Sequence, residues 1–233
     1  MPDVTAFLPC REGSQRVVRK NVRPFPGYPG GLIDLKLRQL ARCRSISRIL
    51  VSTDDAEVME AAESARSWSE VQIDLHERPP ELATSLTSTD AVIRMVAGLV
   101  EPSIHVLWTH VTSPFCASKH YDEMVASYFE KLEQGTADSL VSVRELRGFV
   151  WDENGPINYD RSVEKWPRTQ TLPSLYEINN AAFMASGRIY AESGDRIGER
   201  PALHVMGALE SFDIDWQEDF DLAAKLAGGG VTL

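Results

Sequence analysis

VTAFLPCREGSQRVVRKN, residues 4–21, joins an apolar segment directly to a polar, cationic loop. Outward from it, short apolar runs alternate with stretches of helical spacing along most of the chain. The spacing predicts strands at Val4–Pro9, Arg48–Ser52, His105–Val111, Ser139–Val143, Ala181–Ala185 and Ala202–Met206. It predicts helices at Leu32–Arg42, Asp55–Ser67, from a Ser88-Thr89 cap onward, at Ser118–Gln134 and at Trp216–Leu226. This alternation predicts an α/β fold of Rossmann-like class: a mostly parallel sheet with helices on both faces.

Polar motifs follow three of the predicted strands. They occupy residues 11–21 after the first strand, 52–55 at the end of the second, and 112–115 after a later one. In a mostly parallel sheet, ligands bind beyond the carboxyl ends of the strands. The sequence therefore predicts a functional site at that edge.

Composition narrows the class of protein. The length of 233 residues suits a single domain, 1–233. Hydrophobic residues make up 43% of the chain and charged residues 25%, which is the balance of a globular protein. A net charge of -10 argues against nucleic acid as a partner, since such binding needs clustered cations. Without a long apolar run or a signal core, we expect no membrane association and a cytoplasmic protein. Cys10, Cys43 and Cys116 are widely spaced, so we expect three free thiols.

The alternation weakens after about Arg144. A turn cluster follows Phe149-Val150-Trp151, and charged, proline-containing sequence continues to Pro173. We interpret residues 145–178 as a small insertion. Its aromatic residues in a polar segment predict a dimerisation arm and hence a homodimer, the alternative being a flap that folds onto its own domain.

Two motifs suggest phosphate chemistry. The loop after the first strand combines Gly13 and Ser14 with Arg11, Arg16, Arg19 and Lys20. Glycine lets backbone amides approach phosphate oxygens, and cations neutralise them. Asp213 and Asp215, two residues apart on a predicted strand, would point to one face and suit Mg²⁺. By chemistry alone, a solvated basic loop is as good an interpretation of the first motif, and an edge strand with a solvated acidic face is the more favoured interpretation of the second.

Other polar residues carry weaker signals. Arg78-Pro79-Pro80 begins a proline-stiffened loop, and Ser88-Thr89 can cap the helix after it. His110 ends a strand at the predicted site edge, so we assign it to the site. The other four histidines have no partner at metal or triad spacing and are expected to be structural.

Together these motifs resemble one family, the acylneuraminate (sialic acid) cytidylyltransferases. Arg11 to Asn21 resembles the family's Arg-x-Gly-Ser…Lys-Asn signature. The other resemblances are Val51-Ser52-Thr53-Asp54-Asp55, Arg78-Pro79-Pro80-Glu81-Leu82-Ala83, Thr112-Ser113-Pro114 and Asp213-Ile214-Asp215. They occur in family order from Leu8 to about Leu226. The resemblance implies a CTP-dependent enzyme that transfers CMP to an acidic sugar, releases pyrophosphate and uses Mg²⁺.

The resemblance also implies roles for particular residues. It assigns CTP to Arg11, Gly13, Ser14, Lys20, Asn21, Arg78, Ser88 and Thr89, with Asn21 at the ribose and Arg78 with Ser88-Thr89 at the cytosine. It assigns Mg²⁺ to Asp213 and Asp215, and the sugar to Asn179 and Arg168. Arg11, Lys20 and the two aspartates form the implied catalytic set.

Several positions depart from the family pattern. Glu12 and Gln15 replace a glycine and a lysine, His110 replaces a glutamine, and Asn180 stands where glycine is usual. Arg196 lies where a partner subunit would lend an aromatic residue, so we expect Arg196 to reach the acceptor site from the partner. His110, Arg168, Asn179, Asn180 and Arg196 thus form the expected acceptor site. The changes leave two alternatives open: CMP activation of a different acid, such as a phosphonate or a 3-deoxy sugar acid, and a non-catalytic nucleotide-binding paralogue.

Overall fold

The computed structural model describes residues 3–231 and 233. It contains nine strands: β1 (Val4–Cys10), β2 (Arg48–Thr53), β3 (Gln72–Glu77), β4 (His105–Trp108), β5 (Ser139–Leu146), β6 (Trp151–Asp152), β7 (Gly155–Pro156), β8 (Leu175–Ser186) and β9 (Pro201–Met206). Its α-helices are α1 (Gly31–Ala41), α2 (Ala56–Ala65), α3 (Thr89–Ala97), α4 (Ser118–Glu133), α5 (Gly187–Ser193) and α6 (Gln217–Gly228). Within these described residues, no helix is both long and apolar enough to cross a bilayer.

Seven strands form one mixed sheet in the order β3-β2-β1-β4-β8-β5-β9. Neighbouring strands are parallel except that β8 runs antiparallel to both β4 and β5. One core packs α1, α2, α4 and α6 against one face, and a second core packs α3 and α5 against the other. The predicted mostly parallel sheet with helices on both faces is confirmed.

Local signals explain where several elements begin. All of β1 except Pro9 is buried, which accounts for its continuous apolar run. Asp55 caps α2 by accepting hydrogen bonds from the amides of Glu57 and Val58. Ser88 caps α3 by accepting from the amide of Ala91, as its position before an apolar periodic run predicts. Cys10, Cys43 and Cys116 are buried free thiols, as expected.

Some elements differ from the prediction. β4 ends at Trp108 instead of Val111, where its pairing with both β1 and β8 ends. Thr109 still donates its amide to the Phe7 carbonyl and its hydroxyl to the Ala181 carbonyl. β3 and α5 were not predicted, and β8 is 12 residues long where only its second half was expected. The half from Leu175 is largely exposed, so its sequence lacks the apolar signature of a core strand.

The predicted arm, 145–178, begins inside β5 and ends inside β8. The segment between these strands, residues 147–174, contains the short β6–β7 hairpin. Its aromatic residues contact one another: the ring of Phe149 lies 5.1 Å from that of Tyr159 and 5.4 Å from that of Trp166. The segment therefore has a small aromatic cluster of its own outside the two cores.

Candidate functional site

A cavity of about 470 Å³ lies at the carboxyl ends of β1 and β4. Ligand pockets of roughly 300–1,000 Å³ are typical of small-molecule sites. Eleven of the residues predicted for the site line it: Arg11, Ser14, Lys20, Asn21, Arg78, Thr89, His110, Asn180, Arg196, Asp213 and Asp215. Chain segments far apart in sequence thus meet at the predicted edge of the sheet.

The loop after β1 is held in place from two directions. The side-chain amide of Asn21 donates to the carbonyl of Arg11 at 3.0 Å, which closes the loop. The amide of Glu12 donates to the Asp54 carboxylate at 2.8 Å, which ties the loop to the end of β2. Gly13 has φ +74°, a backbone conformation that glycine adopts without strain. The loop therefore presents Arg11, Ser14, Arg16 and Lys20 to the cavity from a fixed backbone.

The Asp213-Ile214-Asp215 segment is not a strand, so that prediction is wrong. Its backbone is irregular because it makes one bridging hydrogen bond, from the Ile214 amide to the Thr112 carbonyl at 2.9 Å, instead of a ladder. Ile214 is completely buried, while both aspartates line the cavity. The expected consequence, two carboxylates facing the same space, is found without the strand.

The two carboxylates differ in their surroundings. Asp213 Oδ2 accepts a hydrogen bond from Asn180 Nδ2 at 3.2 Å. Asp213 Oδ1 is buried and has no partner in good hydrogen-bond geometry within residues 3–231 and 233. Burial raises the pKa of Asp213 above its ordinary value, although the Thr112 side chain lies close enough to oppose the shift. Asp215 is half-exposed and pairs with Arg16 at 2.7 Å.

Lys20 lies between the cationic loop and the carboxylates. Its Nζ donates to the carbonyl of Ile214 at 3.0 Å. Burial lowers the pKa of Lys20, although Asp215 and Asp213 oppose the shift. The lysine side chain thus connects residues 11–21 to the segment that carries both aspartates.

Arg78 is anchored at the opposite wall. Its Nε and Nη2 donate to the hydroxyl and the carbonyl of Ser52, at 3.3 and 2.7 Å. Beside it, Leu82, Thr84, Thr87 and Thr89 also line the cavity. This wall offers hydroxyl groups and one guanidinium, a polar surface suited to a base edge.

Four predicted site residues lie outside the cavity lining: Gly13, Ser88, Asn179 and Arg168. Ser88 is used as the cap of α3. Asn179 is buried in the opposite direction from Asn180, and its Oδ1 accepts from the Ser142 hydroxyl at 2.7 Å. Arg168 is exposed in the segment between β5 and β8. Asn179 and Arg168 therefore do not line the cavity of this chain, and their acceptor-binding role stays a prediction.

The backbone of Asn180 is unusual. Its φ is +58°, one of two positive values among described residues other than glycine. Asparagine tolerates this left-handed conformation better than most residues. The twist breaks the strand alternation at Asn180, which brings its side chain to Asp213.

Arg196 occupies the cavity of its own chain, which corrects the expectation that it reaches in from a partner subunit. Its guanidinium carbon lies 3.5 Å from the ring centroid of Phe183 and 5.0 Å from that of Trp108. The short α5, which the sequence did not reveal, carries the chain back to this wall.

Trp108, which sequence reasoning missed, lines this part of the cavity together with His110. The Trp108 indole N–H donates to His110 Nε2 at 3.0 Å. An indole nitrogen can only donate, so Nε2 must be the acceptor and the neutral imidazole carries its proton on Nδ1. Burial and nearby cations lower the pKa of His110 to about 3, which keeps the ring neutral.

Lys36 is a second residue that the analysis of motifs missed. It is fully buried on α1, and its Nζ donates to the carbonyls of Ser113 and Cys116 and to the Tyr121 hydroxyl. Burial lowers the pKa of Lys36 to about 8. A lone lysine among the leucines of residues 31–41 was the available signal. It holds the turn that follows Thr112, and Thr112 in turn holds Ile214.

A cytidylyltransferase family model matches residues 5–231. An N-acylneuraminate cytidylyltransferase of Escherichia coli is 24% identical over 226 residues, covering 96% of this chain and 52% of that protein. The chain thus spans about half the length of that relative. A pseudaminic acid cytidylyltransferase of Campylobacter jejuni is 22% identical over 229 residues, covering 94% of each protein.

Solved structures share the fold at low sequence identity. A 4-diphosphocytidyl-2C-methyl-D-erythritol synthase of Anaerococcus prevotii superposes with a TM-score of 0.69 at 11% identity, covering 97% of this chain and 96% of that one. A CMP:2-keto-3-deoxy-manno-octonic acid synthetase complexed with CTP gives a TM-score of 0.65 at 12% identity, covering 97% and 99%. These likenesses establish the architecture alone.

Proposed function

The chain belongs to the cytidylyltransferase family, and from that premise we propose that it transfers CMP from CTP to an acidic sugar and releases pyrophosphate. One observation carries the proposal. A single cavity places the cations Arg11, Arg16 and Lys20 beside a pair of carboxylates, Asp213 and Asp215. This combination suits a triphosphate together with the metal ion that accompanies it.

The carboxylate pair fits Mg²⁺. Carboxylate oxygens are hard ligands, and the buried oxygen of Asp213 has no partner in good hydrogen-bond geometry among residues 3–231 and 233. The described residues contain no cluster of three or more histidine, cysteine or acidic side chains at metal spacing. Asp213 and Asp215 would therefore hold the ion together with substrate phosphates. When bound, Mg²⁺ supplies positive charge to the phosphate oxygens that it contacts.

The residues of the chain would contribute mainly position and charge. In the proposed step, an acceptor hydroxyl oxygen bonds to the α-phosphorus of CTP. The bond from that phosphorus to the β-phosphate oxygen breaks, pyrophosphate leaves, and the hydroxyl proton passes to solvent. Arg11, Arg16 and Lys20 would stabilise the charge that moves to pyrophosphate. The anchored loop backbone would place the base of each cationic side chain before the step begins.

The alternative of a non-catalytic paralogue rests on Glu12 and Gln15. The Glu12 side chain lies outside the cavity lining, while its backbone amide anchors the loop to Asp54. The glutamate therefore adds no anion to the cavity wall. Gln15 does line the cavity, as a neutral group among three cations. These positions favour an active enzyme.

We expect CTP to be strongly preferred over UTP, ATP and GTP. The motivation is the Arg78–Thr89 wall, where one anchored guanidinium and three threonine residues, Thr84, Thr87 and Thr89, face the cavity. The test is pyrophosphate release with each of the four nucleotides, across a panel of 2-keto sugar acids and phosphonates. Equal release with CTP and UTP would contradict base selectivity, and no release with any acid would contradict the proposed function.

We further propose a homodimer built through residues 147–174. Trp166 is 64% exposed and Trp151 is 45% exposed, and exposed aromatics of this size are enriched at interfaces. Ile178 and Val205, beside this segment on β8 and β9, are exposed as well. Light scattering at micromolar concentration should give twice the 26.0 kDa of one chain. A mass of one chain for the native sequence would reject the dimer.

A further inference from the structure

Arg196 lies in an aromatic enclosure at one wall of the cavity. Its guanidinium faces Phe183 and Trp108, and the Trp108 ring is stacked on Tyr190 with an interplanar angle of 9°. Cation–π contacts hold a guanidinium plane in place while leaving its N–H groups free to donate. The enclosure thus fixes the orientation of Arg196 without using its hydrogen bonds.

The guanidinium also lacks a partner. Arg196 Nη1 is buried and makes no hydrogen bond to any residue of the described chain. The adjacent carboxylate of Asp195 accepts from the backbone amides of Arg196 and Ile197 instead. No carboxylate of residues 3–231 and 233 forms an ion pair with this arginine. A half-buried cation without a partner costs free energy, so a ligand anion at this position would be favoured.

Arg196 and Lys20 have different direct contacts. Lys20 donates to the carbonyl of Ile214, whereas Arg196 faces Phe183 and Trp108. His110 lies within electrostatic reach of both cations. Both cations line the same cavity. The cavity therefore has two cationic ends, of which the end at Lys20 suits the triphosphate.

His110 limits the charge that the end at Arg196 can accept. The imidazole accepts from Trp108 through Nε2, so its Nδ1–H is a neutral donor. One cation and one neutral donor match a single negative charge. A carboxylate meets this condition, and a guanidinium binds both of its oxygens, whereas a phosphonate dianion would leave one charge unpaired.

We propose that Arg196, with His110 beside it, binds the carboxylate of the acceptor within the same chain and so determines which acids are substrates. This inference rests on the proposed function. Within one chain, the inference assigns the acceptor's charge to Arg196, since Arg168 lies outside the cavity lining of that chain.

The experiment compares Arg196→Met, Arg196→Lys and the native protein in steady-state pyrophosphate release. Arg196→Met should raise the acceptor KM at least about tenfold, because loss of a charged hydrogen-bond partner costs about 1.5–3 kcal/mol. The KM for CTP should stay within about threefold, as expected when only acceptor binding is removed. Arg196→Lys should fall between the two, since an ammonium cannot bind both oxygens in one plane. Arg38→Met is the matched control, because Arg38 also stacks on a tryptophan, Trp68, but outside the cavity.

The outcomes separate the two proposals. An unchanged KM for CTP in Arg196→Met shows that the variant is folded, and an unchanged acceptor KM in that variant would overturn this inference alone. A rise in the KM for CTP instead would assign Arg196 to the triphosphate and also overturn it. Turnover of phosphonates but of no carboxylate would overturn the assigned anion. No pyrophosphate release by the native protein with any acid would overturn the proposed function and this inference with it.

Discussion

Asp213→Asn is expected to lower turnover by about 100-fold or more, with Asp215→Asn close behind. Asparagine keeps the shape of the side chain but removes the negative charge that would hold Mg²⁺. Loss of one transition-state charge contact costs on the order of 10²–10³ in rate. Asp213 should show the larger effect because its Oδ1 is buried without a partner in good hydrogen-bond geometry in the described chain, whereas Asp215 already pairs with Arg16.

The measurement is the rate of pyrophosphate release as a function of Mg²⁺ concentration. Both variants should need more Mg²⁺ to reach half of their own maximal rate. Asp221→Asn is the matched control, since Asp221 is an exposed aspartate of α6 that accepts a hydrogen bond from Gln217. Near-normal turnover in both Asp213→Asn and Asp215→Asn would show that the metal is held by other groups.

The sequence predicted the sheet well wherever strands are buried on both faces. β1 and β2 are such strands, and their continuous apolar runs place them within one residue of the observed bounds. The first half of β8 was missed because most of its residues are exposed, and the antiparallel direction of β8 was not predicted at all. Strand direction follows from how the chain returns to the sheet, and no periodicity encodes it.

The cavity positions of the residues proposed to bind the nucleotide were predictable because these residues lie in short contiguous motifs. Arg11, Lys20 and Asn21 reach the cavity from a single loop, so their closeness in sequence already implies that they lie close together in space. The Asp213-Ile214-Asp215 pattern correctly predicted that both carboxylates face the same space, but it predicted the wrong secondary structure. Alternating burial resembles a strand in sequence, whereas only the hydrogen bonds show that the ladder is absent.

The positions of the residues proposed to bind the acceptor were less predictable because these are single side chains from separate elements. Asn179 and Asn180 are neighbours in sequence, yet one is buried against Ser142 and the other contacts Asp213. The positive φ of Asn180 produces that difference, and nothing in the sequence distinguishes the two asparagines. Arg196 can stack on Phe183 because the chain turns back towards the sheet after α5. No sequence motif marks that helix.

Lys20→Met is expected to reduce kcat by about 100- to 1,000-fold, while the KM for CTP rises much less. Lys20 donates to the carbonyl of Ile214 and lies within electrostatic reach of both aspartates, so its charge is fixed beside the carboxylates, where we propose that the triphosphate binds. A cation held there interacts most strongly with the charge that develops on pyrophosphate as it leaves. Removing such a contact lowers kcat more than it weakens substrate binding.

Lys20→Arg and Lys225→Met complete the comparison. Arginine keeps the charge at position 20 and should restore part of kcat, whereas Lys225 lies near the end of α6, outside the cavity, and its loss should change nothing. The measurement is kcat and the KM for CTP from pyrophosphate release at saturating acceptor. If Lys20→Met kept its kcat and only the KM for CTP rose, Lys20 would bind the triphosphate equally in the ground state and the transition state. The charge on the leaving pyrophosphate would then fall to Arg11 and Arg16, which line the same wall.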